Sequence, residues 1–253
     1  MSRSYSDIGD KQLPGIDRNA VDRFFAERAE KIHAIGPLHA VIYQDKNAEL
    51  ARCRDLAEKA KLLPLLQLNG SQRVLDVGCG TGRWAQELVP RSAWYHGIDA
   101  CEGLIEYARG QFSAMENCAL SVASADDFSL ASIHESAAFD RVLCAGVLIY
   151  LNEVEVRRAI RNIAEVLAPG GFALFREPAG LGRRLTISEH FSEEMGQDYN
   201  AIYRTREELG TLIDDEMPGP HFRLVGHGEV YDEAELNNRS DTRQLWLLVE
   251  RTA

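Results

Sequence analysis

The stretch Val74-Leu75-Asp76-Val77-Gly78-Cys79-Gly80-Thr81-Gly82-Arg83-Trp84 restricts the possible folds of this chain more than any other. Val74, Leu75 and Val77 form a short apolar, β-branched run, the pattern of a buried parallel strand. Glycines at three alternate positions break it, and residues 84–89 read as the start of a helix. A strand passing through a glycine-rich turn into a helix sets backbone N–H groups and a positive helix end beside a bound ligand. Glycine suits such a turn because a Cβ would block close approach and because φ is often positive there.

The spacing is more informative than the glycines. A dinucleotide fingerprint reads G-x-G-x-x-G with a carboxylate about 20 residues on. Here the order is Asp-x-Gly-x-Gly-x-Gly, with Asp76 inside the strand and Gly82 one residue early. A second apolar strand, Trp94-Tyr95-His96-Gly97-Ile98-Asp99, ends on an acid placed to take two ribose hydroxyls. In these residues the chain resembles the class I S-adenosylmethionine-dependent methyltransferases. The resemblance implies that Asp76, Gly78, Cys79, Gly80 and Gly82 form the loop at the methionine end of the cofactor. It implies that Asp99, with Ala100 beside it, holds the ribose, with S-adenosylhomocysteine as product.

The chain has 253 residues, enough for one α/β domain with additions. A net charge of −11 with no long basic run argues against a nucleic-acid partner. Cys53, Cys79, Cys101, Cys118 and Cys144 are scattered without a C-x-x-C pair, which reads as reduced thiols in a cytoplasmic protein. No apolar run reaches membrane-spanning length, and the N-terminus lacks a signal-type apolar core. His and acidic residues are not grouped at ligand spacing, so no metal is expected.

Residues 1–16 are polar, carry Pro14-Gly15, and read as a mobile arm. Residues 17–68 read as a helical cap. Asp17 caps a helix with Val21, Phe24, Phe25 and Ile32 at helical spacing, and Asn47 caps a second helix to about residue 63. In the resembling family such an extension closes over cofactor or substrate, which makes Tyr43 and Gln44 contact candidates; the alternative for Tyr43 is a half-buried packing residue. Residues 69–253 read as the methyltransferase domain. A helix at 102–111 leads to a short third strand, Leu120-Ser121-Val122, followed by Asp126, Asp127 and Phe128. By resemblance Asp126 accepts from the adenine amino group and Phe128 packs on the ring. Asp127 is the second candidate, and either acid could instead cap the next turn.

Residues 139–148 give the fourth strand and its loop, with Cys144 near the expected cofactor edge and Tyr150 just beyond. Asn152 and Glu155 form an Asn-led capping box, and Leu167-Ala168-Pro169-Gly170-Gly171 matches the family's turn before the fifth strand. The resemblance covers roughly residues 71–177. It implies an α/β, Rossmann-like, seven-stranded, mostly parallel sheet of order 3-2-1-4-5-7-6, with one antiparallel strand and flanking helices. Residues 180–220 exceed a simple connection and read as a lid inserted between the fifth and sixth strands. That segment carries Arg183, Arg184, His190, Tyr199, Tyr203 and Arg204, then a Thr205–Glu208 capping box. An oligomer interface is the alternative for it, and a homodimer is compatible with the sequence.

Methyl transfer is an in-line displacement, so alignment and exclusion of water outweigh acid–base work. Glu177, His190 and Tyr150 are the candidate catalytic residues, Glu177 first because it sits at a strand end. Arg176, Glu177, Tyr199, Tyr203 and Arg204 are the candidate acceptor contacts. Arginines mixed with tyrosines point to a small, polar or anionic acceptor: an amino acid, a sugar or a secondary-metabolite intermediate. The rival readings are a protein or nucleic-acid methyltransferase, a nicotinamide-dependent oxidoreductase, and a non-catalytic cofactor-binding protein. The early third glycine and the lack of a Tyr-x-x-x-Lys pair disfavour the oxidoreductase.

Overall fold

The computed structural model describes residues 2–7, 9–10, 12–42, 46–193, 195–237 and 239–252. The chain opens with strand β1 (Ser2–Ser6), then helices α1 (Arg18–Glu30), α2 (Ile32–Ile35), α3 (Pro37–Ile42) and α4 (Ala48–Leu62). The Asp17 carboxylate accepts from Asn19 N at 2.9 Å, and Asn47 Oδ1 from Leu50 N at 3.0 Å, so both expected caps form. Next come β2 (Arg73–Val77), α5 (Ala85–Leu88), β3 (Trp94–Asp99), α6 (Glu102–Phe112), β4 (Cys118–Val122), β5 (Phe139–Ala145), α7 (Glu153–Val166) and β6 (Leu167–Gly180). The chain ends with β7 (Arg184–Ser192), β8 (Gln197–Tyr203), α8 (Arg206–Glu216), β9 (Phe222–Glu229) and β10 (Thr242–Arg251).

Seven strands make the main sheet in the order β4-β3-β2-β5-β6-β10-β9, parallel except for β10, which runs against both neighbours. This is the expected architecture. The central strands carry nearly continuous apolar runs because helices cover both faces. Leu75, Val77, Val142, Cys144 and Phe175 face α7 and α8, while Val74, Leu143 and Leu174 pack with Leu62, Leu66 and Trp84 on the other side.

Part of the N-terminal arm forms a strand. β1 pairs antiparallel with β7 from Ser2↔Ser188 to Ser6↔Arg184, and Tyr5 Oη donates to Asp241 at 2.9 Å. Strand addition draws its stability from backbone hydrogen bonds, so a polar segment can be ordered without an apolar pattern. Asn152 completes the tie: its Oδ1 accepts from Ile16 N at 2.9 Å and its amide donates to Ile16 O at 3.1 Å.

The segment 180–220 divides in two. β7 and β8 join β1 in a separate three-stranded sheet whose inner face packs on α1 through Leu185, Ile187, Tyr199, Ala201, Val21 and Phe24. α8, capped by Thr205 and Glu208, instead buries Leu209, Leu212 and Ile213 in the main core. Only residues up to 203 therefore stand over the sheet edge. Tyr199 and Tyr203 are buried within this one chain rather than left exposed for another subunit.

Candidate active site

Two adjoining cavities open at the carboxyl ends of the parallel strands, where ligands bind in open α/β sheets. The larger, about 650 Å³, is floored by Gly78, Cys79 and Gly80, walled by Asp99, Ala100 and residues 123–125, and roofed by Arg18, Asp22 and Phe25 of α1. The loop is pinned to β3, since Gly78 N and Cys79 N both donate to Ile98 O at 2.8 and 3.0 Å. Asp99 holds it from the side, accepting from Gly80 N at 2.9 Å and Cys101 N at 2.8 Å. Burial raises the Asp99 pKa, against those two amides, which favour the charged form. A carboxylate has about four lone-pair sites, so Asp99 keeps acceptor capacity toward the cavity. Cys79 stays a neutral thiol, because burial pushes its pKa well up.

Several expected contacts are not at the wall. Asp76 lies beneath the loop, 1% exposed, accepting from Tyr95 Oη at 2.8 Å. Gly82 is a packing position: an added Cβ would meet Phe112 at 2.5 Å. Asp126 turns outward, its Oδ2 taking Arg158 at 2.8 Å and its Oδ1 the Ser124 hydroxyl at 2.6 Å. Asp127 is exposed and bridges back to Ser124. Phe128 and Cys144 are buried in the main core and line neither cavity. Ala123, Ser124 and Ala125 line the cavity, and Asp126 does not. Tyr43 and Gln44 lie outside the described residues.

The smaller cavity, about 290 Å³, shares Val41, Arg83, Ala145, Gly146 and Tyr150 with the first. Arg176, His190, Tyr199 and Tyr203 line it, and a chain of hydroxyls runs through it: Tyr150 to Tyr199 at 3.3 Å and Tyr199 to Tyr203 at 3.2 Å. Glu177 and Arg204, expected as base and acceptor contact, line neither. The Glu177 carboxylate accepts from Val147 N, Leu148 N and Ile149 N at 2.9, 3.0 and 3.3 Å. Arg204, 1% exposed, donates to Leu148 O at 2.8 Å, Leu151 O at 2.7 Å and Glu153 at 2.8 Å. Together they grip the 3-10 turn Leu148–Tyr150 from both sides, Glu177 on its N–H groups and Arg204 on its carbonyls. Arg183 and Arg184 are also engaged away from the site, with Asp7 and with Glu153 and Glu208.

Sequence reasoning missed Arg18 and Asp22, and helical spacing assigned Phe25 to packing. It also missed Arg3, Arg54 and Arg239, which reach the second cavity from distant parts of the chain. Arg83 carried a local signal, since it follows the last loop glycine. Among the described residues, no group of three or more His, Cys, Asp or Glu could hold a metal, and no helix is long and apolar enough to cross a membrane.

The match to known proteins falls on the same architecture. Residues 74–171 match the family model of a methyltransferase domain. The matched residues run from β2 into β6 and include the glycine loop and Asp99. Phosphoethanolamine N-methyltransferase 1 of Zea mays is 26% identical over 161 residues, 64% of this chain and 30% of that protein. Glycine N-methyltransferase of Mus musculus is 32% identical over 132 residues, covering 47% of this chain and 45% of the relative. The chain thus spans about a third of the length of the first curated relatives it matches. Phosphoethanolamine N-methyltransferase 1 of Haemonchus contortus, solved with phosphoethanolamine and S-adenosylhomocysteine, superposes with a TM-score of 0.71 at 18% identity, covering 93% of this chain and 49% of that one. At that identity the likeness shows the fold.

S-Adenosylmethionine is the cofactor of such a domain, and the larger cavity fits it. Among the described residues, Asp22, Glu30, Asp99, Glu102 and Glu106 line it against Arg18 and Arg83, a balance suited to a ligand carrying an ammonium and a sulfonium.

Asp76 also makes a prediction of its own. Burial raises its pKa from 3.8 to about 7. Such a group favours the fold below its unfolded pKa and loses that contribution as pH climbs through 7. Asp76→Asn, which keeps an acceptor for Tyr95, should therefore gain stability relative to wild type between pH 4 and 7 by at most about 4 kcal/mol, then level off. Urea unfolding of the cofactor-free protein at pH 5 and pH 8 checks this. A difference that does not change with pH would contradict it.

Proposed function

We propose that the protein is an S-adenosylmethionine-dependent methyltransferase acting on a small polar acceptor. The observation that carries this reading is the junction of two cavities: an acid-rich one built on the glycine loop and Asp99, and a second one meeting it at Gly146 and Tyr150. In-line displacement needs the nucleophile and the methyl carbon aligned across such a junction, with water excluded. The cofactor supplies an electrophilic methyl whose leaving group needs no acid. The chain supplies alignment. The turn gripped by Glu177 and Arg204 sets the junction wall, Arg18 donates to Tyr150 O at 2.6 Å, and α1 closes over the larger cavity.

Tyr150 lines both cavities and is placed to orient the acceptor's nucleophile. His190 borders the second cavity and is the remaining candidate for taking a proton, since Glu177 is occupied by three backbone amides. Sites covered by a helix and a three-stranded sheet favour a small acceptor over a protein or nucleic-acid chain. The named relatives methylate nitrogen, of phosphoethanolamine and of glycine, and an amine of that size suits the second cavity.

Calorimetry with S-adenosylmethionine and S-adenosylhomocysteine tests the reading, followed by methyl-transfer assays on an acceptor panel. The two acids singled out in the sequence should separate. Asp99→Ala is expected to weaken both ligands by about 1–3 kcal/mol, through loss of a charged acceptor and release of Gly80 N and Cys101 N. Asp126→Ala should change affinity by less than about 0.5 kcal/mol, since its carboxylate is turned toward a half-exposed arginine. Equal losses in the two variants would return Asp126 to the cofactor site.

A further inference from the structure

We infer that the second cavity seats an acceptor bearing a compact oxyanion, with the nucleophile end of that acceptor at Gly146 and Tyr150. This rests on the methyltransferase reading above and names the acceptor class for it. Arg3, Arg54, Arg83, Arg176, Arg239 and His190 line the space, and among the described residues no carboxylate does. Among the described residues their acid partners lie outside the lining and are fewer than the cations. Glu58 is shared between Arg83 at 2.6 Å and Arg176 at 2.5 Å, and Asp55 is shared between Arg83 at 2.8 Å and Lys59 at 2.9 Å. Asp241 takes Arg239 at 2.7 Å.

Among the described residues Arg54 has no acid partner; it donates twice to the neutral carbonyl of Leu236, at 2.8 and 2.6 Å. Burial lowers its pKa, and the nearby Arg176 charge adds to that. Arg176 in turn keeps a buried Nε with no hydrogen-bond partner among the described residues. Cations gathered this way are costly unless an anion joins them, and guanidinium forks match the geometry of phosphate and carboxylate oxygens.

The backbone of β7 is bent toward the same purpose. Strict alternation would turn residue 190 away from the face that Ile187 occupies. A register shift between Ile187 and His190, with Glu189 at φ +48°, resets the alternation so that Ile187, His190 and Ser192 all line the cavity. Glu189 N donates to Asn200 Oδ1 at 2.9 Å, which holds the bulge. Strain of this kind persists where surrounding structure maintains it, often at a site. It adds an imidazole to the guanidiniums, beside the hydroxyls of Tyr199 and Tyr203.

The experiment is a calorimetric titration of the S-adenosylhomocysteine-saturated protein with sodium phosphate, sodium acetate and, as a neutral probe, glycerol. Phosphate or acetate should bind while glycerol does not, and the binding should weaken with added sodium chloride. Tighter phosphate identifies a phosphate monoester as the acceptor's anion, and tighter acetate a carboxylate. Arg239→Gln and Arg3→Gln, both at accessible positions, should each weaken the anion at least tenfold while S-adenosylhomocysteine affinity stays within twofold. Arg239→Lys should retain more anion affinity than Arg239→Gln. Saturable S-adenosylhomocysteine binding with no binding of either anion, or anion binding indifferent to these substitutions, would overturn the inference and leave the methyltransferase reading standing. Failure of S-adenosylhomocysteine itself to bind would overturn that reading instead.

Discussion

Gly78→Val is expected to abolish measurable cofactor binding, weakening S-adenosylhomocysteine at least a hundredfold, or about 2.7 kcal/mol. Gly78 has φ +73°, and a Cβ built there would lie 2.2 Å from Val147 Cγ2. A β-branched residue pays roughly 1–2 kcal/mol for left-handed backbone. The overlap adds overpacking of about 1–3 kcal/mol. Both contacts belong to the larger cavity, since Gly78 floors it and Val147 walls it. Relief of the clash must therefore move the loop, the turn or both. Gly170→Ala is the control: φ is +74° but the added Cβ meets nothing within 4 Å. That variant should lose about 1 kcal/mol of stability with unchanged affinity. Calorimetry and thermal melting of the two variants separate conformational strain from obstruction. Wild-type affinity in Gly78→Val would show that the loop can move aside without disturbing the site.

The difference between those two glycines shows what a sequence carries. The run from Val74 to Trp84 and the acid at 99 were legible because their chemistry is local. Strand, turn and acid lie within 26 residues and are tied by backbone amides, Gly78 N and Cys79 N donating to Ile98 O and Gly80 N to the Asp99 carboxylate. The sheet order was implied by the family resemblance that those motifs carry. Asp126 was misplaced because its partner, Arg158, comes from a helix 32 residues on, and nothing at 124–128 signals that capture. Glu177 and Arg204 misled for a different reason. A charged residue at a strand end suggests function, whereas here each is buried to satisfy the backbone of one turn. The arginines of the second cavity were illegible as a group. Arg3, Arg54, Arg176 and Arg239 converge only after β1 pairs with β7 and α4 packs against the segment carrying Leu236.

The second large effect should come from Glu177→Ala. The substitution leaves the N–H groups of Val147, Leu148 and Ile149 without their acceptor at the junction of the cavities. A buried donor without a partner costs roughly 1–3 kcal/mol. Removing Glu177 also removes a carboxyl whose ionisation burial opposes, its pKa raised to about 7 despite the three amides. The net loss should then be about 3 kcal/mol, below the simple sum, which for a chain of this size is roughly 6–12 °C in melting temperature. Arg204→Ala should cost a similar amount by orphaning Leu148 O and Leu151 O. The double variant should lose less than the two together, because both residues hold one turn. Turnover should fall about a hundredfold or more in either single variant, since Val147 and Tyr150 leave their places in the cavity walls. Glu177→Gln separates this positioning role from a proton-accepting one. In the positioning role, its activity follows its stability, and the acid limb of the pH–rate profile survives. Loss of turnover and of that limb, with melting temperature and S-adenosylhomocysteine affinity intact, would make Glu177 the base after all.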